Sequence, residues 1–69
     1  MYYNATLVDY NGKKFITYHN ISNPQSFVNW CIENKTFRVI LFYQLKFRNS
    51  KETRYVGTFT NADGFSFSP

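Results

Sequence analysis

Few residues in this chain could carry covalent chemistry. His19 is the only histidine, Cys31 the only cysteine, and the carboxylates are Asp9, Glu33, Glu52 and Asp63. A nucleophile needs a base within hydrogen-bond reach. No serine or cysteine stands close enough to His19 in the chain to suggest such a pair. Cys31 falls on the apolar stripe of an expected helix, where a thiol acts as a small core residue. One cysteine permits no internal disulfide and no cysteine zinc site. No phosphate loop, dinucleotide fingerprint or metal-ligand spacing is present. The expectation is a protein without catalytic residues, metal or cofactor.

Binding chemistry is better represented. The net charge is +4, and it is concentrated: residues 35–54 hold Lys35, Arg38, Lys46, Arg48, Lys51 and Arg54 against Glu52 alone. Cations attract the phosphate backbone, and aromatic rings offer stacking platforms for unpaired bases. Arg38, Phe42, Lys46, Arg48, Lys51 and Arg54 are therefore candidates for nucleic-acid binding. Ile40 and Phe42, apolar among those cations, are equally candidates for a protein interface. Phe, Tyr and Trp together make up 22% of the chain. Aromatic anchors dominate protein interfaces because they bury large areas at low entropic cost. Trp30, off the centre of the expected helix stripe and beside Phe27 and Glu33, is a candidate anchor; the alternative is that it covers the sheet edge.

These residues need elements to position them. Sixty-nine residues, 43% of them hydrophobic, make one small domain over 1–69. No apolar run reaches the roughly 18 residues of a membrane span, and the N-terminus lacks the form of a signal peptide, so the expected location is cytoplasmic. Residues 2–9 and 14–19 read as strands joined at Asn11-Gly12, a strong hairpin signal because both residues tolerate positive φ. Asn23 and Pro24 suit a helix start, and residues 24–33 carry Phe27, Val28, Cys31 and Ile32 at helical spacing. Asn34 can stop that helix in the left-handed conformation. Residues 36–48 read as one long strand. Its alternation predicts Phe37, Val39, Leu41, Tyr43, Leu45 and Phe47 under the helix, with Arg38, Ile40, Phe42, Gln44, Lys46 and Arg48 on the far face. A turn at 49–52 leads to a strand over 53–60. A second turn ends at Gly64, and Phe65 and Phe67 suggest a short final strand. The expected fold is α+β, one helix on an antiparallel sheet of four to five strands in the order β-β-α-β-β.

Within this frame Leu7, Asp9, Gly12-Lys13, Phe15, Tyr18-His19 and Phe27 set a spacing that resembles the small uracil-DNA glycosylase inhibitor family of Bacillus podophages. The resemblance covers residues 7–34. It implies a non-enzymatic homodimer that occupies the DNA-binding groove of a host glycosylase. In that family an aromatic-bearing helix captures an apolar residue of the enzyme. Phe27 matches one such aromatic. Cys31 stands where the family carries a tyrosine, with Trp30 adjacent. The family is acidic, whereas this chain is basic, which points to a different target on a shared fold.

The expectation from sequence is thus a small cytoplasmic, phage-type effector that inhibits or modulates a host protein and forms a homodimer. Phe27, Trp30 and Glu33, or Ile40 and Phe42, supply its contacts. The alternative partner is nucleic acid, held on the basic sheet face. A third reading is an assembly protein whose sheet edge pairs with itself.

Overall fold

The computed structural model describes residues 1–68. It has the expected α+β order with the fifth strand formed: β1 (Tyr2–Val8), β2 (Phe15–Ile21), α1 (Pro24–Asn34), β3 (Val39–Leu45), β4 (Thr53–Thr60) and β5 (Gly64–Phe67). The strands make one sheet in the order β2-β1-β3-β4-β5, antiparallel at every pairing. No helix among the described residues is long and apolar enough to cross a membrane.

Local chemistry sets the element boundaries. The Asn23 side chain accepts from the Ser26 amide at 3.1 Å, and Pro24 opens the helix. The helix ends differently from expectation. Asn34 stays helical and donates its side-chain amide to the Trp30 carbonyl, while Lys35 leaves in extended conformation. The first hairpin is also wider than a two-residue turn. Only Gly12 takes positive φ; Asn11 does not. Asp9 closes this loop, its carbonyl accepting from Gly12 and its carboxylate from the Lys13 amide.

The core lies on one face of the sheet, beneath the helix. Val28 and Cys31 of α1 pack with Ala5, Leu7, Phe37, Ile40, Phe42, Val56 and Phe59. Leu7 pairs with Ile40 and Ala5 with Phe42, so these four share that face. This reverses the expected facing of β3. Ile40 and Phe42 are fully buried under the helix, while Leu41 and Tyr43 point to the uncovered side. The reversal has a physical cause: β3 covers only residues 39–45, so Arg38, Lys46 and Arg48 are not on the strand at all. Counting them made the Ile40–Phe42 face look polar. Phe37 reaches the core from the connection before the strand, and Phe47 sits in the β3–β4 turn, 62% exposed. On α1 the stripe is narrower than expected, because Ile32 is exposed.

The core face is closed beyond the helix by β5. Phe65 and Phe67 lie 5.9 and 5.4 Å from the Phe42 ring. A bulge in β4 sets two residues, Val56 and Gly57, against Phe42. Gly57 has φ +145°, and a Cβ there would meet the Ser66 carbonyl and come within 2.7 Å of the Phe67 Cα. Glycine is required at this point for the close approach of β5.

Candidate functional site: an aromatic helix edge and a polar cleft

Two places on the surface combine unusual residues with defined geometry. The first is the edge of α1 over β2. Tyr18 projects from β2 on the helix-covered face, as its pairing with Ala5 requires. Its ring lies 5.2 Å from Phe27 and 5.7 Å from Trp30, and Phe27 stacks on Trp30 at 6.2 Å. Phe27 also meets buried Phe42 edge-on at 6.3 Å. The cluster is therefore anchored in the core at one end and open at the other, where Trp30 is 43% exposed. Lys35 places its ammonium 5.6 Å from the centre of the Trp30 ring, within cation–π range. Ile16, two residues before Tyr18 on the same face of β2, extends the exposed apolar surface, and Glu33 stands exposed on the helix.

The structure therefore keeps Phe27, Trp30 and Glu33 together on one element and separates them from Ile40 and Phe42. Those two residues, expected as partner contacts, are core residues with no accessible surface. For the same reason Phe42 offers no stacking platform. The expected basic face is also dispersed. Arg38 precedes β3, whereas Lys46, Arg48, Lys51 and Arg54 cluster around the β3–β4 turn at the strand's other end. Seven strand residues lie between, about 23 Å of extended chain. Lys46 is paired with Glu52 at 3.2 Å, and Arg54 donates to the Gln44 side chain.

The second place lies on the uncovered face of the sheet, and of its lining residues only Lys51 was among the nucleic-acid candidates read from the sequence. A cleft of about 480 Å³ is lined by Asn4, His19, Asn20, Leu45, Asn49, Ser50, Lys51 and Thr53. A bulge in β2 opposite Asn4 puts Asn20 at φ 57°, and the β3–β4 turn puts Asn49 at φ 64°. The two side chains bridge the elements. The Asn20 amide donates to Asn49 Oδ1, and the Asn49 backbone N–H donates to Asn20 Oδ1 at 2.8 Å. Asn4 Oδ1 accepts from the Asn20 backbone. Ser50, buried, fixes the adjoining turn through both its hydroxyl bonds to the Glu52 backbone. Asn20 and Asn49 could have been suspected as left-handed asparagines, but their meeting depends on tertiary structure.

His19 and Cys31 are on opposite sides of the sheet, so they form no nucleophile–base pair. Burial pushes the Cys31 thiol up to about 11, against the smaller opposing pull of Lys35. That places it among neutral, inert thiols. In comparisons with known protein families, curated proteins and solved structures, the chain matches none.

Proposed function

We propose that this chain is a small non-enzymatic binding protein of phage type that docks on a host protein through the aromatic edge of α1 and thereby inhibits or modulates it. The observation that carries this reading is the Tyr18–Phe27–Trp30 cluster, braced against Phe42 yet open at Trp30. A rigid aromatic held by neighbours loses little entropy on binding. Exposed Ile16 adds further apolar surface on the same side, and Glu33 and Lys35 provide a charged rim. The resemblance over residues 7–34, with Phe27 at the matching position, makes a DNA-processing enzyme such as uracil-DNA glycosylase one target to test, while the net charge of +4 favours a different host protein on that family's fold.

Self-association through β2 accompanies this reading. β2 is an edge strand, and Phe15–Ile21 carries no lysine, arginine, proline or carboxylate to discourage pairing. The Asp9 amide donates to the Lys14 carbonyl. That phase of the ladder turns the backbone groups of Phe15 and Thr17 away from β1. A two-fold pairing of β2 strands continues the sheet and brings both Trp30 edges onto one surface.

The test is capture of partners from a Gram-positive cell lysate, with and without nuclease, followed by mass spectrometry. The reading expects one host protein to survive nuclease treatment and to be lost with Trp30→Ala. Recovery of nucleic acid and its companions alone, all removed by nuclease, overturns it. Adding the chain to a uracil-excision assay tests the glycosylase directly; undiminished excision at saturating chain excludes that target.

A further inference from the structure

The cleft on the uncovered face plays no part in docking by α1, which lies on the other side of the sheet. Its walls carry donors that are unspent. Among the described residues, Lys51 makes no ion pair and the His19 ring makes no side-chain hydrogen bond. Asn4 and Asn49 use their side-chain carbonyls but have no acceptor for their Nδ2 groups among the described residues. No carboxylate lines the cleft. Arg48, exposed and next to Asn49 in the chain, is a second cation of the adjoining turn. The floor is apolar, formed by buried Leu45.

The next row of the uncovered face supplies aromatic surface. Tyr43 pairs with Asn4 on one side and Tyr55 on the other. The two tyrosine rings meet edge-on at 5.6 Å, and Tyr55 is 54% exposed. Tyr43 stands two residues along β3 from Leu45, about 7 Å, a reach comparable to that from a phosphate to its own base. Cationic donors beside an exposed ring are the two halves of single-strand recognition: an electrostatic groove for the backbone and a stacking platform for the base. The rim is already rigid, because the Asn20–Asn49 bridge holds both left-handed residues in place.

We propose that this cleft binds single-stranded nucleic acid, with a phosphate held by Lys51, His19 and the Asn4 and Asn49 amides, and the adjoining base stacked on Tyr55. Arg48 receives the next phosphate. Double-stranded nucleic acid does not present an unstacked base, so the ring selects single strands.

The test is titration of the isotope-labelled full chain with a short oligodeoxythymidylate at low and at physiological salt, followed by NMR. Shifts are expected at His19, Asn20, Asn49, Lys51 and Tyr55, and not along α1. Lys51→Ala should weaken binding about tenfold at low salt and flatten the salt dependence by about 0.7 in the log–log slope, the amount expected for one lost phosphate contact on a single strand. Tyr55→Ala should cost about tenfold, and Tyr55→Phe should retain binding, since stacking survives loss of the hydroxyl. Arg38→Ala, at the far end of β3, should leave binding unchanged. The proposal is overturned if no oligonucleotide binds at low salt, or if Arg38→Ala and Lys51→Ala weaken binding equally. It is also overturned if inorganic phosphate alone binds as tightly as the oligonucleotide, or if the shifts map to α1. None of these outcomes bears on capture of a host protein, which is read separately by Trp30→Ala.

Discussion

At the scale of single residues, exposure separates the aromatics that can bind from those that hold the fold. Trp30→Ala removes a half-open ring whose neighbours Tyr18 and Phe27 remain in place. The expected result is loss of more than about 2 kcal/mol of partner affinity, the range of an interface hot spot, with the circular dichroism of the domain retained. Calorimetric binding to the captured host protein reads this directly. A folded Trp30→Ala protein with full affinity removes Trp30 from the interface. Phe42→Ala should do the reverse. It empties the centre of the core, so thermal unfolding should show a loss of about 3–5 kcal/mol, whatever the partner. Cys31 gives a pH signature. Its folded-state pKa of about 11 exceeds the unfolded value of 9.0. The stability it contributes is therefore complete below pH 9 and is lost as the pH rises toward 11. In a thiol-reagent assay at pH 8, native protein should react only at the rate of global opening, and denatured protein at once.

At the scale of elements, the sequence was most legible where one local signal decides. Asn23-Pro24 placed the helix start to the residue, and Gly64 took the positive φ expected of it. β4 lies where its pattern put it, at Thr53–Thr60. β3 was misread because alternation has two answers that differ only in which face is buried. The tie was broken by residues outside the strand. The deciding facts are the pairings Ala5 with Phe42 and Leu7 with Ile40, which are not local. The aromatic edge was half legible. Phe27 and Trp30 follow from helical spacing, but Tyr18 comes from another strand. Of the cleft only Lys51 was legible, as one of the basic residues, since the asparagines that shape it meet across 29 residues of chain. Two substitutions probe the element scale. Asn23→Ala should lower stability by about 1 kcal/mol, the usual cost of losing an N-cap. Gly57→Ala should cost about 3 kcal/mol or more, since strained φ and backbone collision combine. It should also release β5, which hydrogen exchange at Ser66 and Ser68 would register.

At the scale of the molecule, the sheet is covered on one face and ends in two open edges. The helix and β5 together complete the core on the covered face, while the other face carries the cleft. The two proposed activities therefore use opposite sides and do not compete for surface. Edge pairing through β2 predicts a concentration-dependent dimer. Thr17→Lys introduces a charge on the outward edge without touching the core, since Thr17 is exposed and bonds only to the Thr6 hydroxyl at 2.9 Å. Sedimentation should show a monomer for this variant and a dimer for the parent. A variant that still dimerises would place the contact elsewhere.

The asparagine bridge also bears on how this chain can vary through descent. Each partner both gives and receives a hydrogen bond, and each backbone sits where few side chains other than Asn, Asp or Gly are comfortable. A change at one position leaves the other with a strained backbone and an unanswered amide. Positions 20 and 49 should therefore be inherited as a unit. Among homologues they would stay asparagine together or turn to glycine together, and a lineage caught with only one altered should show a compensating change in the loop that carries the other.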